Sequence, residues 1–311
     1  MDLTAFADEI GTGDDSVSVV GSSSREGPVA GARVVSAPTG IDVVNPAEMT
    51  VVCGAGTPLV ELDAALDDVG QSLAVGRSAG GGGTIGGAVA VAANSMLRLG
   101  LGPTRDCLLQ ARVVMADGVV VKAGGPTVKN VTGFDLCRLL VGSRGTLAAL
   151  GELTVRTRPK PPCRQWFTTS DRDPWSVRRD LFRPTAILWD GTTTWVCLDG
   201  HPADVAEQAA GARLSAVDGP PTLPAAGRRS VAPAELRALD PSVVGPFVAE
   251  IGVGVVNLSR VEHGGPATSV FADERAVELN RRIKQQFDPR ARFNPGREPV
   301  GALVPTGGAA S

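Results

Sequence analysis

Residues 80 to 93 read Gly-Gly-Gly-Gly-Thr-Ile-Gly-Gly-Ala-Val-Ala-Val-Ala-Ala, and no other stretch constrains the chain as much. Backbone without side chains can approach a ligand closely. A flexible glycine linker stays polar and uninterrupted, whereas here Thr84 and Ile85 break the run and the apolar Ala88 to Ala93 follow at once. The segment therefore predicts a loop laid against a cofactor, then a packed element. Glycine is also the outlying residue type of the whole chain, at 39 of 311.

The bulk composition excludes several classes of function. Hydrophobic residues make up 43% and charged residues 20%, with a net charge of −3, which fits a globular protein and neither a disordered chain nor a basic nucleic-acid surface. An anionic ligand must then be held by local groups. The five cysteines are an odd number without a close pair, which argues against a disulfide framework, an iron–sulfur site or a zinc site. Cys107 and Cys137, each alone in an apolar segment, read as core residues. Scattered Asp and Glu show no metal-ligand spacing, so no metal is expected. The acidic N-terminal stretch has no signal-peptide character, and the glycine-broken Ile251 to Leu258 is too short to cross a bilayer. The expected compartment is the cytoplasm, with membrane attachment only through partner subunits.

Alternating strand and helix patterns predict mixed architecture. Residues 2 to 10 suit a short helix. Val17 to Val20, Val34 to Ala37, Glu48 to Cys53 and Val113 to Ala116 suit strands. Leu59, Leu62, Ala65, Leu66 and Val69 have helical spacing, with Thr57 as N-cap, Pro58 at the first helical position and Gly70 as terminator. Leu136 to Val141 precedes the turn Gly142-Ser143-Arg144-Gly145-Thr146 and a strand from Leu153 to Thr157. The proline-rich Arg158 to Pro162 marks a boundary. We expect one domain over 1–160, a small irregular cap-like domain over 161–270, a helix and Asn294-Pro295-Gly296 segment over 271–297 returning to the first domain, and a disordered tail over 298–311. The helix should place Val277, Ile283 and Phe287 on one face and Arg281, Arg282 and Lys284 opposite.

A Rossmann dinucleotide fingerprint needs strand, glycine turn, helix and a later acidic residue in one βαβ unit, which GGGTIGG lacks. Three ordered segments instead resemble one family: NPAEMTVVCGAGTPLV at 45–60, GRSAGGGGTIGGAVAVAANSMLRLGLGPTRD at 76–106 and KNVTGFDLCRLLVGSRGTLAAL at 129–150. The order and spacing resemble the PCMH-type, vanillyl-alcohol-oxidase-like FAD-binding family. Within it, the Lys-Asn-Val-x-Gly-aromatic-Asp-Leu string and the ending FDPRARFNPGR are similar to FAD-binding subunits of bacterial glycolate oxidase complexes. The resemblance implies an α+β fold of two α/β subdomains with a reduced cap, and non-covalent FAD, since no histidine precedes His201 for a histidyl linkage.

By family position, Gly21, Ser22, Ser23 and Ser24 form a first phosphate loop and Gly82, Gly83, Thr84, Gly86 and Gly87 a second. Gly142, Ser143, Gly145 and Thr146 line the remaining channel, with Lys129, Asn130 and Asn294 as polar contacts. Glycine- and serine-rich turns can aim backbone N–H groups at a pyrophosphate without a lysine. Serine suffices in the first loop only if no residue there takes positive φ. Valine at Gly86 or at Gly87 should each abolish cofactor binding and leave a folded apoprotein.

Oxidation of a 2-hydroxy acid requires a base at the hydroxyl, a cation at the carboxylate and the flavin as hydride acceptor. Arg98 and Arg105 are the candidate cations, and each has an alternative reading as a structural salt bridge, for Arg105 with Asp106. His263 is the candidate base, although it and His201, the only two histidines, stand in Pro/Gly-rich loops suited to solvated positions, and tyrosine is absent. The resemblance therefore implies a subunit that takes part in oxidising glycolate or lactate, passing electrons to a larger flavoprotein and an iron–sulfur subunit. The alternatives are a self-sufficient flavin dehydrogenase and a non-catalytic scaffold with weakened flavin binding.

Overall fold

A computed structural model of the chain describes residues 1–78, 82–125, 135–240, 244–260, 268–269 and 274–297. They fall into two compact units, one made of the described parts of 1–95, 103–160 and 273–302, the other of 96–102 and 161–272. Lys129, Asn130, His263 and the tail from 298 lie outside the described residues.

The first unit contains strands β1 (Val17–Val20), β2 (Arg33–Ser36), β3 (Ile41–Asn45), β4 (Thr50–Gly54), β5 (Gln71–Ser72), β6 (Leu108–Val114), β7 (Val120–Gly124), β8 (Ala149–Arg156) and β9 (Arg158–Pro159). Strands β1 and β2 pair in parallel, β5 pairs with β9, and an antiparallel five-stranded sheet runs β3-β4-β8-β6-β7. Strand β8 is buried almost throughout because it lies at the centre of that sheet. It begins four residues before the strand read from sequence, since Ala149 and Leu150 find partners in Val114 and Val113.

Helix Leu59–Asp67 buries Leu59, Leu62 and Leu66 of the stripe its spacing predicts, while Ala65 is half-buried and the exposed Val69 falls beyond the helix end. Its start differs from the expectation. Pro58 occupies the cap position without a side-chain bond, while the Thr57 hydroxyl accepts from Gly40 N at 3.0 Å and donates to Gly40 O at 3.1 Å. A long-range contact has taken the hydroxyl that local rules assign to the helix. Gly70 has φ +66° and ends the segment as read. Cys107 and Cys137 are core residues whose thiols burial pushes up to about 11.

The C-terminal helix Glu274–Phe287 leads to the segment that closes this unit. Lys284 is not on a solvent face: its ammonium donates to Thr146 O at 2.6 Å and Phe293 O at 3.0 Å and pairs with the fully buried Asp288 carboxylate at 2.5 Å. Asp288 in turn accepts from the backbone N–H groups of Arg292 at 3.0 Å and Phe293 at 2.7 Å. Arg292 is wholly buried, and its guanidinium donates to the carbonyls of Ile10 at 3.0 Å, Gly11 at 3.0 Å, Asp15 at 3.2 Å and Ala116 at 2.5 Å. The loops at 10–15 and 116 thus end on one charge.

The second unit is regular, contrary to the irregular domain expected. Strands β10 (Cys163–Thr169), β11 (Ala186–Trp189), β12 (Thr194–Gly200), β13 (Ser215–Val217), β14 (Gly227–Ser230), β15 (Phe247–Glu250), β16 (Val255–Leu258) and β17 (Thr268–Ser269) form an eight-stranded sheet in the order β13-β10-β12-β11-β15-β16-β14-β17 among the described residues. Helices Pro174–Asp180 and Pro202–Gly211 accompany it. Composition hid this because Gly227-Arg228-Arg229-Ser230 has no strand propensity of its own. It is held by pairing with the buried β16. His201 is an exposed residue capping the helix from Pro202, its Nδ1 accepting from Ala203 N at 3.3 Å. Trp175, Trp189 and Phe247 stack edge to face at 5.5 Å.

Arg292→Met should take a donor from four carbonyls, of which those of Ile10 and Ala116 are buried. We expect a loss of about 3–5 kcal/mol in unfolding free energy, read from urea denaturation followed by circular dichroism.

Candidate functional site

One pocket of the first unit gathers three loops distant in sequence. It is lined by Gly21, Ser22, Ser23 and Ser24 after β1, by Thr84 and Gly87, by Gly145, and by Asn294 from the C-terminal segment. A closed circuit of contacts holds them. The helix Ile85–Ala90 presents the carbonyls of Val89 and Ala90, which accept from Gly142 N at 3.0 Å and Arg144 N at 2.7 Å. The carbonyls of Arg144 and Gly145 accept from Asn294 Nδ2 at 3.0 and 3.1 Å. Asn294 Oδ1 accepts from Ser18 Oγ at 2.7 Å, and Asn294 N donates to Val17 O at 3.0 Å. Strand β1 then runs into Gly21, where any Cβ would collide with Thr84 Oγ1 and close the circuit wrongly.

The remaining predicted residues lie in the same loops but do not line the pocket. Gly86 packs on Ala55: its N–H donates to Ala55 O at 2.7 Å, and a Cβ there would stand 2.6 Å from that oxygen. Gly83 has φ +110° and gives its carbonyl to Leu59 N at 2.9 Å, while Gly82 accepts from Ser78 N at 3.0 Å. Ser143 and Thr146 are buried in their own turn, the Ser143 hydroxyl donating to Leu140 O at 2.8 Å and that of Thr146 to Ser143 O at 2.7 Å. Gly142, with φ +85°, serves the attachment to Val89.

The first loop departs from its reading. Ser23 adopts φ +51°, so a serine does occupy the left-handed region, at a cost of about 1–2 kcal/mol. The hydroxyl of Ser22 donates to Ser24 Oγ at 3.1 Å across the turn, and Ser24 and Ser78 are bonded at 2.9 Å.

Nor is the pocket a backbone-only cradle, because Arg25, Arg144 and Arg297 line it together with Glu26. Arg144 Nε pairs with Glu26 Oε1 at 2.8 Å and Arg297 with Glu26 Oε2 at 3.5 Å. The half-buried Arg25 guanidinium donates to Gly76 O at 2.8 Å and lies against Gly83. Burial, with Arg77 adding repulsion, lowers the Arg25 pKa below its ordinary value, yet a guanidinium stays charged. These arginines were visible as one basic residue in or beside each small-residue turn, at 25, 144 and 297. Their convergence was not.

Neither candidate substrate cation is among the residues that line this pocket. Arg98 belongs to the second unit, in the short helix Arg98–Leu101, with its Nε 3.3 Å from the buried Glu250 carboxylate. Arg105 is exposed beside Asp106 at 3.8 Å.

Residues 17–124 match the family described as FAD binding domain. The glycolate oxidase subunit GlcE of Escherichia coli is 38% identical over 127 residues, covering 39% of this chain and 35% of that protein. A D-lactate dehydrogenase of Archaeoglobus fulgidus is 39% identical over 109 residues, 35% of this chain and 24% of that protein. The matches thus span about a third or less of these relatives. Among solved structures, an alkyldihydroxyacetonephosphate synthase shares the fold with a TM-score of 0.67 at 14% identity, covering 95% of this chain and 73% of that one. Two of the three pocket loops fall within the matched residues, so the part of the chain that builds them is similar to FAD binding domains.

Proposed function

We propose that the first unit holds FAD non-covalently, its pyrophosphate against Gly21, Ser22, Ser23, Ser24, Thr84, Gly87 and Gly145, and that the chain works as an FAD-binding subunit in the oxidation of a small 2-hydroxy acid, glycolate or lactate. The observation that carries this reading is the three-loop pocket, where small residues and three guanidiniums meet in a domain of the FAD-binding family. Gly21 and Gly145 let Thr84 and Asn294 close in on their loops, and with Gly87 they present main-chain atoms on the pocket wall to a diphosphate. Arg25, Arg144 and Arg297 offset its charge, the last two bridged by Glu26. Bound FAD supplies the hydride acceptor for CH–OH oxidation.

Attachment is non-covalent in this reading because Cys107 and Cys137 are buried thiols raised to about 11, poor nucleophiles at neutral pH. Among the described residues Glu26 is the one carboxylate lining this pocket, and two arginines engage it. The resemblance to glycolate oxidase subunits favours a subunit that works with partners over a self-sufficient dehydrogenase. By the resemblance to glycolate oxidase subunits, the partners are a larger flavoprotein and an iron–sulfur subunit. Among the described residues no helix is long and apolar enough to cross a membrane, so any association with a membrane runs through them in this scheme.

The purified chain should be yellow and release close to one FAD per chain into the supernatant on acid precipitation. It should show little dye-linked turnover of glycolate or lactate until partner subunits are added. Full turnover by the chain alone would establish the self-sufficient dehydrogenase instead, and a colourless folded protein that takes up no added FAD would establish the scaffold.

Valine at Gly86 and at Gly87 should now behave differently. Gly87→Val, whose Cβ would meet Thr84 Oγ1 at 3.1 Å on the pocket wall, should lose most bound FAD and keep its far-ultraviolet circular dichroism. Gly86→Val, driven into the Ala55 backbone, should lower stability by about 2 kcal/mol or more in thermal melts of the apoprotein.

A further inference from the structure

The second unit contains a cavity of about 620 Å³ whose wall includes Arg178, Arg179, Arg183 and Arg237 beside Trp175. Four arginines elsewhere in this unit are paired with carboxylates. Arg164 forks onto Asp199 at 2.8 and 2.7 Å, and Arg172 is paired with Asp180. Arg98 and Arg228 share Glu250, at 3.3 and 3.6 Å. By contrast, Arg178, Arg183 and Arg237 have no carboxylate partner among the described residues, and Arg179 has its neighbour Asp180 only at 3.9 Å.

Two of the four are positioned by packing that leaves their N–H donors available. Arg237 lies 4.5 Å above the Trp175 ring, which is itself set edge-on against Trp189. Arg178 crosses Gly252, where a Cβ would stand 2.7 Å from its Nε. Arg183 projects from a residue with φ +51°, a conformation that non-glycine residues keep mainly where the surroundings impose it. Four like charges on one wall repel one another, and the partner that relieves the repulsion must be anionic. Guanidiniums favour carboxylate and phosphate oxygens, which accept two parallel bonds. A cavity of this size is that of a small-molecule site.

We propose that this cavity binds a small organic polyanion bearing at least two carboxylate or phosphate groups. A 2-hydroxy monocarboxylate would neutralise one guanidinium and leave the rest, so the ligand is distinct from the substrate proposed above. The inference stands on the second unit alone.

The test is isothermal titration of the full-length FAD-loaded chain at low salt with citrate and, separately, with pyrophosphate. We expect one-to-one binding of at least one probe, weakened by about tenfold or more in the Arg178→Ala/Arg237→Ala double variant. Arg105→Ala, which removes an exposed charge from the first unit, should leave the affinity unchanged. Tighter citrate binding identifies a polycarboxylate ligand, and tighter pyrophosphate binding a phosphorylated one. Because Arg178 and Arg237 are exposed, unaltered circular dichroism should accompany the loss. The proposal is overturned if neither probe binds, if the double variant binds as the parent does, or if only a long poly-glutamate chain binds, which would make the surface a dock for an acidic protein.

Discussion

The three residues Arg292, Phe293 and Asn294 hold the first unit in the form its pocket requires. Desolvating a guanidinium costs several kcal/mol, and Arg292 offsets that cost by placing its donors on four carbonyls from two separate segments, with the Asp15 carboxylate 3.6 Å away. Phe293, fully buried, bridges to Val17 in the same register as a strand. Asn294 then spends its amide on Ser18 and on the carbonyls of the turn at 144–145. It was read as a polar contact to a ligand. In the structure its side chain is committed to joining two walls of the pocket, and the pocket wall it forms follows from that.

The glycines divide by the same logic. Gly86, and likewise Gly54 and Gly56, are bare because another backbone carbonyl occupies the space where a side chain would go. Gly21 and Gly87 are bare on the pocket wall. A single run of glycine letters thus serves both packing and access, and residue type alone does not separate the two. Thr84 connects them: its hydroxyl caps the helix by accepting from Gly87 N at 3.2 Å, and it is the atom against which Gly21 is fitted.

Charge is likewise placed by local need in a chain of net charge −3. Around the pocket of the first unit, one carboxylate tempers two of three arginines, leaving a positive site without an unopposed cluster. In the second unit, Glu250 is only 3% exposed and is tolerated because Arg98 and Arg228 flank it and Asn257 stands near. Of the four arginines around Trp175, only Arg179 has a carboxylate near it among the described residues, Asp180 at 3.9 Å, and the four share one cavity wall.

What the sequence determined by itself is what neighbouring residues decide. Leu59, Leu62 and Leu66 share a helix face, Val17 to Val20 form a strand, Gly70 stops a helix, and the ordered glycine segments point to FAD and to the family. Those features depend on spacings of a few residues, and hydrophobic period and backbone sterics act at that range. Only the tertiary structure decided the strand order β3-β4-β8-β6-β7, the capture of the Thr57 hydroxyl by Gly40, the regular sheet around the unpromising Gly227–Ser230, and the meeting of Arg25, Arg144 and Arg297. Each of these rests on partners that are not neighbours in the chain, 17 positions apart for Thr57 and Gly40 and 118 for Arg144 and Glu26. Whether a buried donor finds such an acceptor depends on how the whole core closes, which no local pattern of residues encodes.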